Sequence, residues 1–212
     1  MTSNQDSRLD TADFDEDAAE DRGRFLAFSD GVFAFAATLL VVSLAAPSLH
    51  SDQLSQLPRE LGALWPQALA YVISFLVVGI YWLGNHRQVR FMRRFDGGAL
   101  VINLLFLMAV AFIPFPSAML NRYFGTASVV LYACSMAVVG GLLGALWIYA
   151  ARRDLLDGVD RRLRRYYTIR ALYPPVIFLL SIPIALAAPQ VAVYVWPRVF
   201  LARPVLHRVV YR

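Results

Sequence analysis

The chain has 212 residues, of which 58% are apolar and 17% charged, and it contains a single cysteine. Its mean hydropathy of +0.53 is too high for a water-soluble domain of this size and indicates an integral membrane protein. The lone Cys134 excludes a disulfide framework, and three scattered histidines predict no metal site. Because glycine-rich nucleotide loops and the common hydrolase motifs are also missing, neither a cofactor nor an enzyme activity is predicted.

Residues 1–21 form an acidic segment, with eight acidic residues against the single Arg8. With few large apolar side chains, this segment cannot offset the entropy cost of ordering, so it is predicted to be a disordered tail. The remaining residues, 22–212, are basic, and their arginines occur in short clusters between apolar runs. Membrane topology explains this distribution better than nucleic-acid binding does, so no nucleic-acid partner is predicted.

Six apolar runs predict an all-α membrane protein with six transmembrane helices. A bilayer core about 30 Å thick needs on the order of 20 helical residues, and most of the runs approach that length. Pro174 and Pro175 fall in the first turn of the fifth run, where missing amide donors cost little. The sixth run is the weakest, because it is short and is interrupted by Pro197 and Arg198. In chain order, the runs cover residues 28–46, 66–83, 99–120, 127–151, 172–188 and 191–205.

Arginine placement orients these runs across the membrane. The links after the second and fourth runs, residues 86–96 and 152–165, are rich in arginine, whereas the links 47–64 and 121–126 hold one arginine each. Because basic links stay on the cytoplasmic side, the links 86–96 and 152–165 are predicted to be cytoplasmic. Alternation of the spans then places the N-terminus on the same side. The protein is therefore predicted to lie in the cell membrane, where its chain crosses the bilayer several times and contacts lipid.

One motif stands out, R-x-x-x-F-S-D at the start of the first run, formed by Arg24, Phe28, Ser29 and Asp30. Polar groups at this depth need partners. In one interpretation, Ser29 or Asp30 caps the start of the helix, where an acceptor satisfies free amides and a negative charge suits the helix dipole. The other interpretation is a functional role, and the two do not exclude each other.

An apolar stripe follows the motif along the first run. Phe35, Leu39 and Val42 are spaced four and three residues apart, which places them on one side of a helix. Taken alone, such a stripe is typical of any transmembrane helix that packs against lipid or another helix. Thr38 lies beside the stripe, where its hydroxyl can either bond back to the carbonyl of Ala34 or face a ligand.

The motif and the G-V-F-A and T-L-L segments that follow it resemble the transmembrane protein 175 potassium-channel family, in its bacterial form. The resemblance covers roughly residues 22–188. It implies a homotetramer in which the first helices line a central pore for potassium ions, without a T-V-G-Y-G filter. It further implies that Phe35, Leu39 and Val42 form the narrowest layers of the pore and that Thr38 supports potassium preference.

Polar residues near the cytoplasmic ends of the second and third runs lie close in depth to Ser29 and Asp30. They are candidates for a polar network that holds the first helix, and the family resemblance supports this role for the tryptophan and the histidine. An ordinary interfacial position is the alternative for the histidine. These residues are Trp82, Asn85, His86 and Asn103.

The predicted function is a potassium-selective leak channel in a bacterial cell membrane, with potassium as the permeant ion and no cofactor. An apolar constriction can gate by excluding water, and potassium sheds its hydration shell more readily than sodium. The main alternative is a secondary transporter or other carrier, which needs charged or unwound sites near mid-membrane that the first five runs lack. Gly140, Gly141 and Gly144 mark either such a break or, as the better explanation, close helix contacts.

Overall fold

The structure is a computed structural model that describes residues 22–44 and 55–198. Within these residues the regular elements are helices, and an isolated bridge joins Met92 to Leu156. The last four residues of the first helix, Leu40–Ser43, have 3-10 geometry. The predicted all-α architecture is confirmed. The helices are α1 Arg22–Ser43, α2 Leu57–Ala63, α3 Trp65–Arg90, α4 Gly97–Phe112, α5 Pro114–Arg122, α6 Thr126–Arg152, α7 Arg161–Ala187 and α8 Pro189–Val193.

Five segments of the described chain are long and apolar enough to cross a membrane: α1, α3, α4 together with α5, α6, and α7. They correspond to the first five predicted runs. Two helices are clearly longer than the apolar runs, since α3 continues past Leu83 to Arg90 and α7 starts at Arg161 rather than at Leu172. Basic and polar residues propagate a helix as well as apolar ones do, so apolar runs underestimate helix length.

The first-turn position predicted for Pro174 and Pro175 is wrong, because both lie in the interior of α7. The helix starts upstream of them, where the Asp160 carboxylate accepts a hydrogen bond from the Leu163 amide at 2.7 Å and caps the first turn. Neighbouring helices can satisfy carbonyls that a proline frees within a membrane helix. The two prolines are buried, so they serve as packing residues.

Residues 191–198, the first part of the sixth predicted run, form the end of α8 and a series of turns. Trp196 packs against Tyr132, with ring centroids 4.7 Å apart, and donates its indole N–H to Ser181 Oγ at 3.0 Å. The rest of this run and the acidic tail, residues 199–205 and 1–21, lie outside the described residues. A sixth span and a disordered tail therefore stay predictions.

Helix α6 is the central helix of the subunit, since 56% of its apolar window is buried, against 22% for α1 and for α3. Two of its glycines allow close approach to α7. A Cβ at Gly140 would lie 2.7 Å from Pro175 Cδ, and one at Gly144 would lie 3.0 Å from Leu172 Cδ2, whereas one at Gly141 would meet nothing within 4 Å. Because α6 is uninterrupted, the glycines at 140 and 144 mark helix contacts and not a break.

The two arginine-rich links lie at the same end of the bundle and bond to each other. The Arg93 amide donates to the Leu155 carbonyl at 2.9 Å, and the Asp157 amide donates to the Phe91 carbonyl at 2.8 Å. A topology in which the chain alternates across the membrane requires this arrangement, because it brings the ends of the second and fourth spans to one side.

Asp96 reinforces the junction between these links. Its carboxylate caps α4 by accepting a hydrogen bond from the Ala99 amide at 2.8 Å, and it also accepts one from the Tyr149 hydroxyl at 3.0 Å. The Arg153 guanidinium lies 3.8 Å away. The capping bond, followed by the Tyr149 hydroxyl and the Arg153 charge, holds the pKa of Asp96 below its usual value.

Candidate functional site

Helix α1 has a buried side and an exposed side within the subunit. The side chains that face inward follow a spacing of four, three and four residues, which is one stripe of a helix: Ser29, Phe33, Ala36 and Leu40. Their apolar members belong to the main core, where the Phe33 ring lies 5.8 Å from that of Phe106. The opposite side of α1 therefore has no cover from the described residues of its own subunit.

The predicted constriction residues lie on or beside this exposed side. Phe35 and Val42 are 63% and 75% exposed, and Leu39 is half-buried between them. Phe28, seven residues before Phe35, is 57% exposed and continues the same line toward the start of the helix. The motif phenylalanine thus faces away from the subunit core, together with the apolar stripe.

Thr38 is exposed beside Phe35, and its hydroxyl donates to the Phe35 carbonyl at 2.8 Å. Back-bonding was one of the two interpretations of Thr38, with the Ala34 carbonyl as the partner, and that predicted partner is wrong by one residue. The bond occupies the hydroxyl proton and leaves the oxygen lone pairs able to accept from water or to face a cation. Both interpretations of Thr38 are therefore compatible with its geometry.

The capping interpretation of Ser29 and Asp30 is wrong, because the chain is already helical at Arg22 and both residues lie inside the helix. Ser29 is buried and donates its hydroxyl to the Phe25 carbonyl at 2.9 Å. Asp30 Oδ1 accepts a hydrogen bond from the Trp82 indole N–H at 2.7 Å. Arg24 is exposed, and within the described part of the chain it has no hydrogen bond or ion pair.

The predicted polar network consists of two separate contacts. Trp82 joins α3 to α1 through Asp30, and its ring centroid lies 5.7 Å from that of His86. Asn85 and Asn103 are both buried, and the Asn85 amide donates to Asn103 Oδ1 at 3.4 Å, which joins α3 to α4. His86 Nδ1 and Asn85 Oδ1 are buried without a hydrogen-bond partner among the described residues.

Two further contacts hold α1 and were not predicted. At the motif end, the Phe25 ring stacks on Phe95 with centroids 4.4 Å apart. At the other end, the Asn121 amide donates to Ser43 Oγ at 3.2 Å. Neither has a sequence signal of its own, because phenylalanine and asparagine in links are common and the pairing depends on how the helices come together.

A groove of about 680 Å³ runs between α1 and α3 beside the exposed side of α1. Its walls are apolar, with Ala34 and Ala37 from α1 and Leu76 and Gly79 from α3, and the Asp30 and Trp82 pair lies among the lining residues. Between two membrane-spanning helices, an open apolar groove of this size is a place for contact with lipid or with another helix.

The family model described as Endosomal/lysosomal potassium channel TMEM175 matches residues 24–114, which contain the motif, the apolar stripe and the polar residues of α3 and α4. The chain is 39% identical over 180 residues to a potassium channel of Streptomyces collinus, and the matched region covers 78% of this chain and 86% of that protein. It is 36% identical over 138 residues to a potassium channel of Chamaesiphon minutus, covering 63% of this chain and 68% of the relative.

The fold has a solved counterpart. A crystal structure of a lysosomal potassium-selective channel TMEM175 homolog from Chamaesiphon minutus matches this structure with a TM-score of 0.76 at 29% identity, covering 91% of this chain and all of that one. The family match over the region of the motif, the shared helical architecture and the likeness to the Streptomyces protein along most of both chains show that this membrane protein belongs to the TMEM175 family of ion channels.

Proposed function

We propose that the chain assembles as a homotetrameric potassium-selective leak channel in a bacterial cell membrane, with α1 of each subunit lining a central pore. The observation that carries the proposal is the exposed apolar side of α1, on which Phe35 and Val42 have most of their surface uncovered. The relatives in bacteria are named potassium channels, and the motif at the start of α1 lies inside the family match.

A pore built from one helix per subunit needs several copies around an axis. Within one subunit, α1 is peripheral and encloses no path of its own, since only 22% of its apolar window is buried. Closed rotational symmetry brings the same face of each copy to the axis. The groove between α1 and α3 leaves room for the neighbouring copy to pack beside the pore helix.

The proposed mechanism is passive permeation through apolar layers. Phe35, Leu39 and Val42 follow each other at steps of four and three residues, or about 5 to 6 Å along the helix axis. Rings of such side chains exclude water when they crowd the axis, and the ion that loses its water at the lower cost passes more easily. Thr38 supplies an oxygen at the same depth, and no cofactor is involved.

Arginine placement orients this channel. The two links that bond to each other carry ten of the 20 arginines, and the start of α1 contacts the same end through Phe25 and Phe95. The positive-inside rule assigns that end and the N-terminus to the cytoplasm.

A carrier would need an ion-coupling site near mid-membrane. In the five described spans the one carboxylate is Asp30, which is the third residue of the apolar run 28–46, near the end of α1 assigned to the cytoplasm, and is held by Trp82. This favours a channel over a carrier.

Reconstitution of the purified chain in liposomes tests the proposal. We expect potassium flux down its gradient without a requirement for sodium or protons, a bi-ionic reversal potential that favours potassium over sodium, and a tetrameric mass in detergent. A monodisperse monomer that retains flux would contradict the tetramer. Flux that saturates at carrier rates and depends on a second ion would contradict the channel.

A further inference from the structure

A second cavity lies outside the pore helix, at the arginine-rich end of the subunit between α3, α6 and α7. Its volume is about 50 Å³. At roughly 10–15 Å³ for each water molecule, this space holds on the order of four waters and suits a group the size of a phosphate. Two arginines line it, Arg87 from α3 and Arg170 from α7, together with Tyr167 and Gln88. No carboxylate is among the described residues that line this basic cavity.

Two polar side chains of the basic cavity, Gln88 and Arg170, are incompletely satisfied by the described residues. Gln88 is 4% exposed, and its Oε1 has no hydrogen-bond partner among the described residues. Arg170 is half-buried and donates one long hydrogen bond, from Nη1 to the Tyr166 hydroxyl at 3.4 Å. A guanidinium carries five N–H donors, so Arg170 retains donors for an anion. A ligand that offers an anionic oxygen and a hydroxyl donor would satisfy both side chains.

The depth of the basic cavity corresponds to the surface of the bilayer. Arg87 and Gln88 belong to the last turn of α3, and Arg170 is the last arginine before α7 becomes apolar at Ala171. The opposite wall of the cavity is apolar, with Ile80 and Leu143 on the side of the membrane core. Basic pockets between helices at this level bind anionic lipid headgroups.

We propose that the basic cavity binds the headgroup of an anionic glycerophospholipid. The phosphodiester accepts hydrogen bonds from Arg87 and Arg170, as guanidinium groups favour phosphate oxygens. A headgroup hydroxyl, as in phosphatidylglycerol, donates to Gln88 Oε1. The acyl chains follow the apolar wall into the bilayer. A bound lipid would then fasten α3, which carries Trp82, to α7.

Native mass spectrometry of the full chain, titrated with lipid in detergent, tests this proposal. We expect phosphatidylglycerol to bind at least about tenfold more tightly than phosphatidylcholine. Arg170→Gln should weaken phosphatidylglycerol binding by about tenfold or more, because it removes a charge-assisted contact, while Arg170→Lys should retain part of the affinity. The matched control is Arg165→Gln, an exposed arginine on the same helix outside the cavity, which should bind like the wild type.

Equal phosphatidylglycerol affinity in Arg170→Gln, Arg165→Gln and wild type would overturn the proposal. Displacement of the lipid by millimolar inorganic phosphate would also overturn it and assign the cavity to free phosphate. If Arg170→Gln does not give monodisperse protein, Gln88→Leu tests the same cavity from α3 and should weaken phosphatidylglycerol binding by about threefold, with phosphatidylcholine binding unchanged; an unchanged phosphatidylglycerol affinity would refute the site. No ion current enters these measurements, so their outcome is separate from that of potassium conduction.

Discussion

Leu39 and Leu40 are adjacent in the sequence, but α1 places them in different surroundings. Leu40 is fully buried in the subunit core, whereas Leu39 is half-buried beside the exposed Phe35 and Val42. A helical step of about one hundred degrees separates the two side chains. The same polar substitution should therefore affect permeation at one position and folding at the other.

We expect Leu39→Asn to raise potassium leak and to reduce the discrimination between potassium and sodium, because an amide wets the apolar layer. Bi-ionic reversal potentials and flux at matched protein density measure both effects. Leu40→Asn should instead lower the thermal unfolding midpoint, since a buried unpaired amide costs roughly 1–3 kcal/mol. Val41→Asn is a better control for permeation than Leu40→Asn, because Val41 is 51% exposed. Its position on the helix turns it away from the stripe of Phe35, Leu39 and Val42. Permeation indistinguishable from wild type in both Leu39→Asn and Val41→Asn would exclude α1 as the pore wall.

Thr38 has a hydroxyl whose proton is already used by the Phe35 carbonyl. If its oxygen faces permeating ions, Thr38→Ala should lower the potassium-to-sodium permeability ratio more than the conductance. Thr38→Ser, which retains the hydroxyl, should stay close to wild type. Reversal potentials of wild type, Thr38→Ala and Thr38→Ser measure the permeability ratio. An unchanged ratio in Thr38→Ala would show that the hydroxyl only bonds back to the helix and does not affect selectivity.

At the scale of elements, α1 is held near both ends while one side stays exposed. Asp30 bonds to Trp82 near the motif end, and Ser43 accepts from Asn121 at the other. Between these points Phe33 and Leu40 pack into the core. Any movement of α1 relative to the rest of its subunit therefore has to strain or break one of these anchors.

The contact between Asp30 and Trp82 should stabilise the subunit. Trp82→Phe removes the indole donor and leaves the carboxylate without it, and Asp30→Asn removes the charge. In a double-mutant cycle on thermal unfolding we expect a coupling free energy of about 1 kcal/mol, with both single variants less stable than wild type. Additive single effects, with no coupling, would show that the 2.7 Å contact does not stabilise the fold.

The contact between α6 and α7 provides a matched pair of glycines. Gly140→Ala should lower the free energy of unfolding by about 1–3 kcal/mol, since the new methyl group overlaps Pro175 in a packed core. Gly141→Ala should be neutral or stabilising by up to about 1 kcal/mol, because alanine favours the helix and meets no neighbour within 4 Å. Thermal unfolding in detergent measures both. A larger loss in Gly141→Ala than in Gly140→Ala would contradict the packing of α6 on α7.

At the scale of the whole molecule, the arginine-rich links form one end of the bundle, opposite the turn between α5 and α6. Cys134 is exposed, so labelling requires a Cys134→Ser background. In that background we expect Arg162→Cys to react with a membrane-impermeant thiol reagent only from the cytoplasmic side, and Thr126→Cys only from outside. Both positions are exposed. Reversed labelling would show that the predicted orientation is wrong. Labelling of both positions from the same side would show that α6 does not cross the membrane between them.

Much of the candidate site could be predicted from the sequence, because the helical repeat determines which residues of α1 share a side. Residues seven apart face the same way, so Phe35 and Val42 share a side in any helix, and the structure leaves that side uncovered. The N-terminal part of α1 was not readable, because hydropathy rises only at Phe28 while the chain is already helical at Arg22. The interpretation of Ser29 or Asp30 as a helix cap failed for that reason.

Composition and periodicity by themselves determined the membrane location, the all-α class and five of the spans, since bilayer thickness imposes a length and a polarity that single runs must satisfy. Tertiary structure alone decided which polar residues meet. Trp82 pairs with Asp30 across 52 positions of sequence, and Asn85 pairs with Asn103 instead of joining them. Such pairings depend on the rotation and depth at which helices pack. Those are set by the volumes of many side chains together, among them the glycines of α6, and no local pattern encodes them.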